Sequence, residues 1–279
     1  MQNNSLVSVI MPAYNPDKIL LKKAIESVFY QTYPNIELII GDDGSQVPIE
    51  SYVYQLVSDL SNPQSIEIRV VRNHHRGISG ARNNAIAYSY GKWLVWLDSD
   101  DTLQRDCIMN LMKESDFYSL VIGECDVYEN DSVTRRKPKP YFEKVKALLG
   151  TENDPFLLNI ISIQPQLILK SDLIEIGSFN EDFHYAELTE LFLRYISIKG
   201  IEKVIFIENA VYNYNRNREG AHTTNRNELF KYRLMALTNY KKHCNISSAE
   251  LEYVGRDTQT GFQRYKLINY GKKSTIQQL

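Results

Sequence analysis

The chain has 279 residues with 43% hydrophobic and 24% charged residues, enough for one large folded domain with an appendage and unlike a disordered, collagen-like or coiled-coil sequence. Lys plus Arg number 32 against 34 Asp plus Glu, a net charge of −2, so there is no global basic field to hold nucleic acid. No apolar run approaches the roughly 18 residues needed to cross a bilayer.

In chain order, Val7 to Met11 is an apolar, β-branched run and reads as a strand, ended by Pro12 and the Asn15-Pro16-Asp17 cluster. Leu21, Ala24, Ile25, Val28 and Phe29 then recur at helical spacing. Ile36 to Ile40 is a second strand, stopped by Gly41-Asp42-Asp43-Gly44; Tyr52 to Leu60 is a helix, and Ile66 to Val71 a third strand. Ser79 to Ser89 reads as a helix, and Trp93 to Leu97 as an apolar strand ending at Asp98-Ser99-Asp100-Asp101. Short, continuously apolar strands separated by helices imply a mostly parallel sheet covered on both faces. Further on, Asp131 to Pro140 is basic and reads as a surface loop. Gln166 to Leu169 is a strand with Ser171-Asp172 capping a short helix. Leu188, Leu191, Phe192 and Tyr195 form a helical stripe, and Val204 to Ile207 and Val211 to Tyr214 are late strands. Asn215 to Thr224 is polar, and from Asn227 onward the chain turns helical.

Residues 1–5 lack the basic start and apolar stretch of a signal peptide. The cysteines, Cys107, Cys125 and Cys244, are far apart with no CxxC, which fits a reducing cytosol.

The strongest chemical signal is Asp98-Ser99-Asp100-Asp101 at the end of a buried strand, where open α/β sheets bind ligands. Alternation puts Asp98 and Asp100 on one side, where a hard divalent cation relieves their repulsion; an acidic helix cap is the plainer reading. Asp42-Asp43-Gly44-Ser45 offers either an Asx turn or acceptors for a base or ribose. Tyr14, in Pro12-Ala13-Tyr14-Asn15, can stack on a flat ring. Arg82, in Gly77-Ile78-Ser79-Gly80-Ala81-Arg82-Asn83, suits a phosphate or one of the aspartates. Neither GxGxxG nor GxxxxGK[ST] occurs. His74-His75 beside Arg76 and the isolated His222 read as solvated loop positions.

Together these pieces resemble the family 2 glycosyltransferases with the GT-A fold. The resemblance rests on Val7 to Asn15, on Ala24 to Val28 with Gln31-Thr32-Tyr33, on Asp42 to Ser45, on Ala81-Arg82-Asn83 and on Asp98 to Asp101. It implies an α/β GT-A domain over residues 1–224, with a nucleotide-binding half at 1–104 and an acceptor half at 105–224. A C-terminal helical extension at 225–279 follows. The resemblance further implies a nucleotide-sugar donor, usually a uridine one, and Mn²⁺ or Mg²⁺ as cofactor. Pro12 and Tyr14 would pack at the base and Asp43 would accept from its ring N–H. Arg82 would organise the pocket, Asp98 and Ser99 would face ribose or donor sugar, and Asp100 would hold the metal. The implied reaction is inverting transfer to a glycan, lipid-linked or protein acceptor. The enzyme would be cytoplasmic, at the inner face of the membrane through the basic segment Arg135 to Lys139 or the C-terminal helices.

The acceptor half departs from the pattern. Leu188 stands where the family places its catalytic aspartate, beside Glu187, so Glu187 becomes the candidate base, with Glu190 one turn on. The alternative is a non-catalytic nucleotide-sugar-binding domain or partner subunit of an active transferase.

Overall fold

Val7–Ala13 (β1) is buried along all seven residues, and a strand buried on both faces belongs in the middle of a doubly covered sheet. The computed structural model describes residues 4–60, 66–145, 166–216, 225–240, 250–256 and 263–268. In it, β1 pairs in parallel with Ile36–Asp42 (β2) on one side and Trp93–Trp96 (β4) on the other. Glu67–Arg72 (β3) adds to β2, also in parallel. As the edge strand, β3 has no fully buried residue, whereas β2 and β4 are buried throughout.

Helices Lys18–Phe29 (α1), Glu50–Ser58 (α2) and Gly77–Ala87 (α3) connect these strands. The first begins at Asp17, whose carboxylate accepts from the Ile19 and Leu20 amides, and it turns Leu21, Ala24, Ile25, Val28 and Phe29 into the core. The third packs so closely on β2 that a Cβ at Gly41 would fall 2.5 Å from the Ala81 carbonyl oxygen. That close approach fixes where Arg82, one residue on, enters the interior.

The chain continues through Thr102–Leu103 (β5), Cys107–Met112 (α4), Leu120–Glu129 (β6), Ser132–Arg136 (β7), Pro138–Val145 (α5), Gln166–Leu169 (β8), Lys170–Glu175 (α6), Glu187–Lys199 (α7) and Val204–Asn215 (β9). The sheet order is β3-β2-β1-β4-β8-β6-β9-β5, with β7 paired to β6. β8 joins β4 antiparallel, so the parallel first half gives way to a mixed second half.

Four sequence expectations change. The basic segment from Asp131 is not a loop at 132–136: it is β7, folded back on β6 through Asn130, whose φ of 52° suits a tight hairpin turn. Arg135 there donates to Asp126 through Nε and Nη2 at 2.7 and 2.6 Å and reaches Glu124 at 3.5 Å. Both carboxylates are buried, and buried carboxylates need such a partner. The short helix starts at Lys170 with no side-chain cap; Asp172 instead accepts from the Tyr195 hydroxyl and pairs with Lys199. The two late strands are one, β9, whose interruption at exposed Glu208 and Asn209 is a register shift against β6.

Beyond Arg226–Tyr240 (α8) the described residues of the extension are strands rather than the expected helix. Glu250–Arg256 (β10) and Gln263–Ile268 (β11) form an antiparallel pair, with Leu251 opposite Leu267 and Tyr253 opposite Tyr265. Alternation in Glu250-Leu251-Glu252-Tyr253 has period two, the signature of a strand.

Candidate nucleotide-binding site

The chain runs β1, β2, β3 outward to one side of β1 and then returns to place β4 on its other side. Strand order therefore reverses between β1 and β4, and a crevice opens at their carboxyl ends. A cavity of about 520 Å³ lies there, within the range of sites for drug-sized ligands. Pro12, Ala13 and Tyr14 line it from the end of β1, and Asp43 from the end of β2. Asp98, Ser99 and Asp100 line it from the end of β4. Six expected site residues thus converge from three strand ends.

The paired aspartates after β2 divide their work. Asp42 faces inward, accepting from the Ser45 amide and from Arg72 Nη1. Asp43 faces the cavity and caps α3: Oδ1 accepts from the Arg76 amide at 2.8 Å and Oδ2 from the Gly77 amide at 2.9 Å. Asn15, at φ 44°, ties the first loop to the second by donating its amide to Ser45 Oγ and accepting from the Gln46 amide.

Arg82 lies beneath the cavity and is fully buried. Nη2 donates to Asp98 Oδ1 at 2.8 Å and Nη1 to Glu187 Oε1 at 2.6 Å, while the guanidinium sits over the Phe179 ring. Burial works against its charge, but Asp98 and Glu187 outweigh it and the pKa is raised. Arg82 thus orients Asp98 from below rather than meeting the cavity. Glu187 is its second anchor and is absent from the cavity wall, while Leu188 is buried in the core.

Asp101 turns away from the cavity. Its carboxylate accepts from the Tyr212 hydroxyl at 2.6 Å and from the Asn215 amide at 2.7 Å, and the Tyr212 oxygen accepts from the Asp98 amide. The Asp98–Asp101 loop is thereby tied to the end of β9. Burial, with Asp98 adding to it, pushes the Asp101 carboxyl well above the usual range.

The opposite wall holds residues that sequence reading missed: Arg76, Glu181, Phe183 and His184. Arg76 Nη2 meets Glu181 Oε2 at 2.5 Å, and Asn83 holds the same segment through the Phe179 carbonyl and Glu181 Oε1. His184 has Nδ1 near Gly77 and an edge-on contact with Tyr232 of α8. Glu181, Phe183 and His184 lie about a hundred positions after α3, and no local pattern announces their pairing with it. His75, read as a solvated loop residue, also lines the cavity. His222 falls outside the described residues.

A family model described as glycosyl transferase family 2 matches residues 8–177. The chain belongs to this family. Among characterised relatives of this family 2 chain, the GalNAc(5)-diNAcBac-PP-undecaprenol beta-1,3-glucosyltransferase of Campylobacter jejuni is 29% identical over 184 residues, 66% of this chain and 57% of that one. The Escherichia coli UDP-Glc:alpha-D-GlcNAc-diphosphoundecaprenol beta-1,3-glucosyltransferase WfgD is 32% identical over 139 residues, 48% of this chain and 51% of that one. The family 2 chain therefore spans little more than half the length of these relatives. Among solved structures, Staphylococcus aureus TarS 1–349 in complex with UDP superposes with a TM-score of 0.60 at 15% identity, covering 84% of this chain and 66% of that one. The Pyrobaculum calidifontis mannosyltransferase PcManGT, in complex with GDP-Man and Mn²⁺, does so with 0.64 at 17% identity, covering 85% and 64%. The GT-A fold expected from sequence is the fold observed.

Proposed function

We propose that this chain is a metal-dependent, inverting sugar transferase whose donor is a nucleoside-diphosphate sugar, UDP-linked. The observation that carries the reading is the convergence of Tyr14, Asp43, Asp98, Ser99 and Asp100 on one cavity at the strand-order reversal. In this reading the base lies by Pro12 and Tyr14 and donates to Asp43, while Asp98 and Ser99 face ribose and sugar. The solved relatives bound to UDP or to GDP-Man with Mn²⁺ support a nucleotide-sugar pocket on this fold. The diphosphoundecaprenol-linked substrates in the relatives' names support a lipid-linked glycan acceptor, met at the inner face of the membrane. Among the described residues no helix is long and apolar enough to cross a membrane. The Arg135 end of the basic segment is already engaged by Asp126, which leaves less of it for lipid. Residues 1–224 would form the transferase unit, with 225–279 appended.

The donor set fits the cation. Asp100, which would hold it, offers oxygen alone, and among the described residues no cluster of three or more His, Cys, Asp or Glu is arranged for a metal. One or two carboxylates completed by substrate phosphate and water is how Mg²⁺ is commonly held, and Mn²⁺ also accepts carboxylate oxygen. When bound, the cation stabilises the charge that grows on the departing diphosphate. The acceptor oxygen bonds to the anomeric carbon as the bond from that carbon to the diphosphate oxygen breaks, and the hydroxyl proton passes to a base. For that base we favour His184 over Glu187: Glu187 is held by Arg82 off the wall, whereas His184 lines it.

Calorimetry with UDP and Mn²⁺, with Asp100→Asn as control, tests the reading. Uptake that needs the metal and is lost in Asp100→Asn is expected; no uridine-nucleotide uptake with Mn²⁺ present overturns it. One observation favours a second reading, a donor-binding subunit without turnover: Leu188, 6% exposed in the core, replaces the family's usual carboxylate. Tight UDP binding with no UDP released from any donor sugar would select that reading.

A further inference from the structure

One ring face of Tyr14 is already covered. The His75 imidazole stacks on it, with ring centroids 4.3 Å apart and planes 29° from parallel. Inserting a base between the rings would require about 7 Å, two stacking distances of about 3.5 Å. His75 Nδ1 lies 2.8 Å from Asp43 Oδ2 and 3.2 Å from the Asp43 carbonyl oxygen. Both oxygens accept, so Nδ1 carries the hydrogen. A flat ring stacked on Tyr14 and a ring N–H given to Asp43 are the two contacts assigned above to the base. Uracil presents the same pair of features.

The hydrogen bonds of Asp43 sharpen the conflict. Oδ2 takes the Gly77 amide and the imidazole together, filling its two lone-pair directions, while Oδ1 takes the Arg76 amide. Oδ2 accepts from a base only after the imidazole leaves.

We propose that His75 is a stand-in for the nucleobase, closing the base subsite until the donor displaces it. The proposal rests on the donor-binding reading above. The surroundings allow the exchange. The His75 side chain is 58% exposed, so leaving Tyr14 gives up little packing. The backbone around it is pinned separately: Asn73 donates its amide to the Asp42 carbonyl and Arg76 to Asp43. Gly44, at φ 74°, lets the loop approach so closely that a Cβ there would sit 2.9 Å from the His75 nitrogen. The exchange is therefore a rotation of one side chain over a fixed loop.

A stand-in and a contact residue predict opposite signs. Occupancy by the imidazole lowers apparent donor affinity by the fraction of molecules that are open, and removing the ring restores it. Calorimetry on the full chain with UDP and Mn²⁺ should find His75→Ala binding roughly three- to tenfold tighter than the parent, while Tyr14→Ala binds more weakly. Pyrophosphate with Mn²⁺, which has no base, should bind parent and His75→Ala alike. Equal or weaker UDP binding by His75→Ala overturns the proposal, as does an equal gain for pyrophosphate. If His75→Ala does not fold, His75→Asn, which lacks the ring, decides by the same signs. Absence of UDP uptake by parent and variants alike would instead overturn the donor-binding reading itself.

Discussion

Arg82 is the side chain on which the site geometry turns. Its guanidinium is the cation between Asp98 on the cavity wall and Glu187 on α7, and all three are drawn from water. Removing one member of such a group leaves uncompensated buried charge. Arg82→Met should therefore cost about 3–5 kcal/mol in denaturant unfolding, far more than its lost packing alone. Lysine presents a point charge rather than a fork, so Arg82→Lys should not restore both bonds. The same geometry separates the two candidate bases. His184→Gln should slow transfer by about 10²-fold or more while leaving UDP affinity unchanged. Equal activity in His184→Gln and parent would move the proton acceptor elsewhere. Much of this site was readable in advance: Tyr14, Asp43, Asp98, Ser99 and Asp100 each end a recognisable apolar run. The Arg82–Glu187 pairing was not, because 105 residues separate its members and helix periodicity carries no information about them.

At the scale of elements, Leu188 shows how a position changes meaning with its surroundings. It belongs to the buried face of α7, with Leu191, Phe192 and Tyr195. Restoring the family's carboxylate by Leu188→Asp puts a charge among apolar side chains, and destabilisation by several kcal/mol is expected in denaturant titration. A neutral outcome would mean the position opens to the cavity. The Asp98–Asp101 loop and β9 make a second coupled pair of elements. The raised Asp101 carboxyl binds its proton more tightly folded than unfolded. Its contribution is therefore complete below the ordinary Asp range near pH 4, and is lost as pH climbs toward the raised value. The stability gap between parent and Asp101→Asn should narrow over that rise, and melting temperatures across pH measure it. Helices α1 to α3 and the interior strands β1, β2 and β4 declared themselves through apolar spacing. β7 and α5 did not: they fall in a basic run that reads as a loop until Asp126 and Glu124 are seen to face β7, while the alternation of β10 is outweighed by the helical reading from Asn227 onward.

For the whole molecule, one topological fact organises the rest. Because β4 returns to the far side of β1, loops separated by over eighty residues share one crevice, and each contributes a few of its lining groups. A ligand that bridges these loops adds contacts to the folded state that the unfolded chain cannot make. Binding and stability are then linked: at a free ligand concentration of 100 times Kd, the folded state gains about 2.7 kcal/mol. UDP and Mn²⁺ together should raise the melting temperature by several degrees, since about 1 kcal/mol moves Tm by roughly 2–4 °C in domains of this general size. EDTA should remove most of that gain in the parent, because Asp100 then faces the diphosphate without a cation between like charges. In Asp100→Asn the metal-dependent part should already be missing, so EDTA should change little. A shift of equal size with EDTA in the parent would mean the diphosphate is held by protein groups alone, and the carboxylates after β4 would need another purpose.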